Sequence, residues 1–112
     1  MKKRKKLVRL MFDYHHEITW FYDLKTGDIT DSIDIIDDDG EIKRLNDEIY
    51  DLCDSFIIWD EDGIPQDFDS NKARANKTKM LDLLKKLNDR LDEINDGSYV
   101  VEDYLTENYS KL

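Results

Sequence analysis

Two kinds of side chain in this 112-residue chain could do chemistry. One is an adjacent pair of imidazoles, His15-His16. The other is a pair of carboxylate runs that each end in glycine, Asp37-Asp38-Asp39-Gly40 and Asp60-Glu61-Asp62-Gly63. Successive histidines on an extended chain point to opposite faces, so the pair is poorly placed to share one metal ion. Either one could serve as a general base, oriented by Asp13 or Glu17. Carboxylates at alternate positions before a glycine raise calcium. A calcium loop needs oxygen ligands at positions 1, 3 and 5, glycine at 6 and a bidentate Glu at 12. With Gly40 at position 6, Asp37 and Asp39 stand at 3 and 5, but Ile35 stands at 1 and Asn46 at 12. With Gly63 there, Asp60 and Asp62 fit, but Ile58 stands at 1 and Asp69 at 12. Both runs are better explained as turns and helix caps. No nucleophile elbow, phosphate-cradling glycine loop or zinc spacing accompanies the histidines. Four Gly and one Pro leave few places for a backbone-lined active site. We therefore expect no catalytic residues, no metal and no cofactor.

The charge distribution says more. The net charge is −10, unevenly placed. Met1 to Lys6, MKKRKK, holds five of the 17 basic residues and no acidic one, so 12 bases face 27 carboxylates and residues 7–112 carry −15. Such a body repels nucleic acid and acidic membranes and attracts basic surfaces. The basic start is followed by no apolar stretch, because Arg9 and Asp13 interrupt LVRLMFDY, and no small-residue cleavage site appears. Cys53 is the only cysteine, at helical spacing among Ile49, Leu52 and Phe56, and reads as a small buried hydrophobe. Together these features predict a cytoplasmic protein that binds neither nucleic acid nor membrane.

The elements that would position these residues follow from periodicity. Residues 1–6 read as a flexible basic N-terminus and 7–112 as one domain. Leu7–Tyr14 and Ile18–Tyr22 are strand candidates joined by His15-His16-Glu17, with Val8, Leu10, Phe12 and Tyr14 sharing one face of the first, and Ile18, Trp20 and Tyr22 one face of the second. Gly27 is free to take the positive φ of a turn. Ile29–Ile36 is read as a third strand. Ile42, Leu45, Ile49, Leu52 and Phe56 recur every three or four residues, which predicts a helix over 41–56 capped by Asp38 or Asp39. Residues 56–59 are a short strand or the helix exit, and 60–65 a loop. Asp69 or Ser70 starts a long helix with the row Met80, Leu84, Leu87, Leu91 and Ile94, stopped near Gly97. Tyr99–Val101 is the last strand. The order predicts an α+β fold: one antiparallel sheet of three to five strands with two helices packed on one face.

With no catalytic machinery, the aromatics beside the carboxylates suggest a protein interface. Tyr and Trp anchor interfaces, and acidic surroundings steer a basic partner. The expected binding residues are Tyr22, Asp37, Asp38, Asp39, Trp59, Asp60, Glu61 and Asp62, although Trp20 and Trp59 taken singly read as core.

The stretch LVRLMFDYHHEITWFYDLKTGDI, residues 7–29, carries a resemblance. A hydrophobic strand ending in Phe12-Asp13-Tyr14, a Trp-bearing strand ending in Tyr22-Asp23 and a glycine turn resemble the small immunity proteins of bacterial polymorphic toxin and contact-dependent growth inhibition systems. The resemblance is one of layout and covers about the first 30 residues. It implies a cytoplasmic inhibitor, monomeric or weakly dimeric, that occludes the active site of one cognate toxin, often a basic nuclease. It carries no binding residue onto this chain. Two alternatives stay open: an acidic nucleic-acid mimic that inhibits a DNA- or RNA-binding enzyme, and a small metal-dependent or hydrolytic enzyme using His15 or His16.

Overall fold

The structure, a computed structural model, describes residues 6–13, 16–30 and 32–112. Strand β1 (Lys6–Leu10) lies at the centre of a three-stranded sheet. Its neighbours are β2 (Thr19–Asp23), antiparallel, and β5 (Tyr99–Asp103), parallel. Val8, Leu10, Phe21 and Tyr99 turn to one face and are buried. Two helices cover that face. Helix α2 (Gly40–Asp54) is tied to β2 where the Thr19 N–H donates to Asn46 Oδ1 at 3.2 Å. Helix α4 (Lys77–Glu93) is tied to β5 where the Tyr99 hydroxyl donates to the Leu91 carbonyl. Between them, Ile42, Leu45, Ile49, Met80, Leu84, Leu87 and Leu91 fill the core at the three- and four-residue spacing that aligns one helix face.

The fold is α+β, as its pattern predicts, but the single antiparallel sheet is not found. Tyr99–Asp103 joins the sheet parallel to β1, so the sheet is mixed. A second, two-stranded sheet is formed by β3 (Ile57–Trp59) and β4 (Pro65–Phe68). The expected third strand over 29–36 is also absent: Ile29 makes one isolated bridge to Tyr22, and Asp34–Asp37 forms the short helix α1. Ile33 and Ile36, three apart, are both buried, so a helical turn puts both in the core where alternation would separate them. The long second helix is broken at Asn76 into α3 (Ser70–Ala75), capped by Asp69, and α4. A last helix, α5 (Tyr104–Ser110), follows β5 directly.

Lys6, assigned by composition to a basic terminus, opens β1: its N–H donates to the Ser98 carbonyl, and its ammonium lies 3.9 Å from Asp23. Residues 1–5, Tyr14 at the end of the first predicted strand and His15 lie outside the described residues. No helix among the described residues is long and apolar enough to cross a membrane.

Candidate functional site

Helices α2 and α4 run in opposite directions, and this sets where each acidic run lies. At one pole Asp39, at the start of α2, meets Arg90 near the end of α4. At the other, Cys53 near the end of α2 meets Tyr109 of α5, and Lys77 at the start of α4 donates to main-chain oxygens of Ser110 and Leu112. With 15 residues at about 1.5 Å each, α2 separates the poles by about 22 Å. Asp37-Asp38-Asp39 precedes α2, and Asp60-Glu61-Asp62 lies beyond its far end. The two carboxylate runs therefore do not form one patch.

They also differ in what they are free to do. Asp39 is committed to the fold. Its Oδ1 accepts the Ile42 N–H at 3.0 Å as the N-cap of α2, and the Arg90 guanidinium grips both its oxygens at 2.6–3.2 Å. The Arg90 guanidinium, ahead of the backbone bond, holds the Asp39 carboxyl below the usual carboxylate range. Asp37 is half-buried at the end of α1, and Asp38 is exposed. At the other pole only Asp60 is engaged: its Oδ1 accepts the N–H groups of Asp62 and Ile64 at 2.9 and 2.8 Å, shaping the turn between β3 and β4 with Gly63 at φ 76°. Glu61 and Asp62 are exposed at the tip.

The hairpin that carries them displays apolar side chains. Ile64 is 57% exposed and Ile58 43%, and Trp59 and Phe68 are exposed as well. Trp59, which taken singly reads as core, is thus a surface residue. At its base Phe68 meets Phe56 edge-on at 6.2 Å, and Phe56 in turn contacts Tyr109 at 6.0 Å. There the hairpin, α5 and the end of β1 enclose an open groove of about 470 Å³, with walls that include Met11, Phe12, Phe68, Tyr104, Leu105 and Asn108. The segments Ile57–Asp69 and Glu102–Tyr109 supply eight carboxylates and not one Lys, Arg or His.

Tyr22 belongs to neither pole cluster. The sheet face away from the core carries Arg9, Trp20, Tyr22 and Glu102. The Arg9 guanidinium stacks 4.7 Å from the Tyr22 ring and 5.9 Å from that of Tyr104, with Glu102 at 3.6 Å. On β2 Phe21 turns into the core, while Tyr22 and Trp20, which taken singly reads as core, turn away. His16 stacks on Trp20 at 3.6 Å, and its Nδ1 lies 2.7 Å from the Glu17 carbonyl. This arrangement uses the imidazole in packing. Among the described residues, no three His, Cys, Asp or Glu side chains converge as a metal site requires.

Sequence reasoning found Trp59 and the Asp60–Asp62 turn but missed Ile58, Ile64, Phe68, Tyr104 and the groove. Phe68, in PQDF, has no alternation to mark it. Tyr104 and the apolar residues of α5 had a signal: Leu105 and Tyr109, four apart behind an Asp103 whose carboxylate accepts the Thr106 N–H at 2.9 Å. The chain was compared with family models, characterised proteins and solved structures, and none of them matches it.

Proposed function

We propose that this protein is a protein-binding inhibitor of the immunity type, which neutralises a basic toxin domain by seating its hairpin pole over the toxin's active site. One observation carries the reading: the β3–β4 hairpin presents Ile58, Trp59, Ile64 and Phe68 around an acidic turn, in a segment with five carboxylates and no base. Exposed aromatic and aliphatic anchors supply contact energy, and surrounding like charge speeds encounter with an oppositely charged partner. A nucleic-acid mimic is less well supported. It needs carboxylates laid out along one track, whereas here the two acidic runs lie at separate poles and Asp39, Asp69 and Asp103 are spent on caps.

The test starts from the genome. A neighbouring gene for a large secreted protein with a variable C-terminal domain supplies the candidate toxin. That domain should arrest growth alone and be tolerated when this protein is co-expressed. Neutralising the tip with Asp60→Asn, Glu61→Gln and Asp62→Asn together should slow stopped-flow association and flatten its salt dependence. Growth arrest that co-expression does not relieve, or association rates unchanged by the triple substitution in a variant shown to be folded by circular dichroism, would overturn the reading.

A further inference from the structure

We propose that the outer edge of β5 accepts an extended, Lys- or Arg-rich segment of a partner protein, which adds to the sheet as a further strand beside α4. This surface is separate from the hairpin pole, and it recognises its occupant through main-chain pairing. The first ground is the state of the strand. β5 ends the sheet order β2-β1-β5. The Lys6 N–H donates to the Ser98 carbonyl, so alternation turns the main-chain groups of Val100 and Glu102 towards β1 and those of Tyr99, Val101 and Asp103 away from it. Of these outward groups, the Tyr99 carbonyl accepts Asn95 Nδ2 at 3.0 Å. The Val101 N–H and carbonyl have no hydrogen-bond partner among the described residues. The opposite edge of the sheet differs. There the Thr30 N–H donates to the Phe21 carbonyl at 2.9 Å and Ile29 bridges Tyr22, so β2 is partly covered. Unpaired main-chain groups on a strand edge are a template for another strand.

The second ground is the groove along that edge. Between β5 and the flank of α4 lies an open space of about 600 Å³, walled by Asn88, Asp89, Asp92 and Asn95 on one side and by Tyr99 and Val101 on the other. Its lining thus contains two carboxylates and no base. Asp92 is exposed and has no ion pair among the described residues. Asp89 meets Lys85 at 2.7 Å in an exposed pair, the kind that holds a carboxylate weakly. Of the other cations on these elements, Arg90 grips Asp39, and Arg9 lies against Glu102 on the sheet face away from the helices. Residues 91–103, from the end of α4 through β5, contain Asp92, Glu93, Asp96, Glu102 and Asp103 and no Lys, Arg or His.

Edge and groove together specify the occupant. In a strand laid along Val101, every second side chain faces α4, and these stand about 6–7 Å apart. Asp89 and Asp92, three residues apart on one flank of a helix, stand about 5–6 Å apart. Lys or Arg at alternate positions of the added strand therefore meets both carboxylates. A second copy of this chain would bring Glu102 and Asp103 of its own β5 to the same carboxylates, and like charge disfavours it.

The experiment uses the full chain and an eight-residue peptide that alternates Lys and Thr, with binding read from amide shifts in two-dimensional NMR. The peptide should shift the resonances of Tyr99, Val101 and Asp103 together with those of Asp89 and Asp92. In an added strand one alternate set of amides faces β5 and the other faces solvent. N-methylation of one set should therefore weaken binding at least tenfold, and methylation of the other should leave it unchanged. A Glu-for-Lys twin should bind at least tenfold more weakly. Asp92→Lys, an exposed change that breaks no ion pair, should have the same effect, whereas Glu61→Lys, the same charge change at the hairpin tip, should have none. An unshifted Val101, equal loss from both methylated sets, or equal loss from both charge reversals would overturn the proposal. So would sedimentation showing that the chain alone dimerises with Val101 shifted, because a second copy then covers the edge. The toxin reading fails or stands separately, since neutralising the hairpin tip leaves β5 and α4 untouched.

Discussion

Asp39 joins two elements through one carboxylate, and its titration should be visible in stability. Because the Arg90 guanidinium and the Ile42 N–H favour its ionised form, its folded pKa lies below the unfolded value of about 3.9. A lowered folded value stabilises the protein above about pH 4, and the contribution is lost as pH falls through the folded pKa. Asp39→Ala should cost about 1–2 kcal/mol, the upper part of the range for a lost N-cap, and should flatten the acid limb of stability. Asp38→Ala should change it by no more than about 0.5 kcal/mol. Urea midpoints at pH 7 and pH 3 check both, and equal midpoints for the two variants would refute the assignment. Cys53 acts at the other end of the pH scale. Burial pushes its thiol up to about 11 and the Tyr99 phenol up to about 12, and raises Tyr109 as well. Raised folded values mean that stability is full below the unfolded thiol value of about 8.5 and is lost as pH climbs towards 11 and 12. Denaturant midpoints should therefore fall steadily above about pH 9. Labelling of Cys53 at neutral pH should be no faster than unfolding, and modification of the native protein within seconds would show an accessible thiol. Composition and spacing made Cys53 legible as core. They made Asp39 legible as a cap but also suggested a binding role, because Arg90, 51 residues away, leaves no mark in the local sequence.

Helices α2 and α4 were the most legible elements, and for a physical reason: each buries one stripe, so its apolar residues must recur at the helical period. Leu84 and Leu87 are fully buried in that stripe. Leu84→Ala and Leu87→Ala should each destabilise by about 2–5 kcal/mol, as large-to-small core changes do. Urea midpoints matching the parent would show the stripe to be misassigned. The strands were less legible because pairing is not local. Nothing in Tyr99–Asp103 says that it will run parallel to β1, and Pro65–Phe68 is extended only through its pairing with Ile57–Trp59. The isoleucines of 29–36 misled because Ile29, Ile33 and Ile35 mimic alternation, while Ile33 and Ile36 are the pair that is buried. Asn76, a single polar residue between two helical stretches, was too weak a signal to divide α3 from α4.

Over the whole molecule, the excess of carboxylates sets how stability responds to salt. A net charge of −10 on a body with extents of 50 × 28 × 25 Å repels itself. Raising ionic strength from about 0.01 to 0.15 M shortens the screening length from about 30 to about 8 Å, so the melting temperature should rise. Differential scanning calorimetry in a chloride series checks this, and a falling melting temperature would mean that ion pairs such as Asp39–Arg90 outweigh the repulsion. The same dimension explains why charge totals alone did not locate a site. Composition reports how many carboxylates there are, whereas the antiparallel packing of α2 and α4 decides that the two runs lie beyond opposite ends of a helix about 22 Å long.

The place of β1 bears on how the chain is made. The strand is flanked by β2, which follows closely, and by β5, whose Tyr99 pairs with Lys6 across almost the whole chain. A ribosome adding about 5–20 residues per second needs several seconds to travel from one to the other. During that interval the β1–β2 pair exists without its third strand, and one side of Leu7-Val8-Arg9-Leu10 offers unsatisfied amides and carbonyls to any neighbouring nascent chain. Native topology can close only after β5 has left the ribosome. Yield during synthesis should therefore depend on chaperone supply more steeply than the stability of the finished protein suggests.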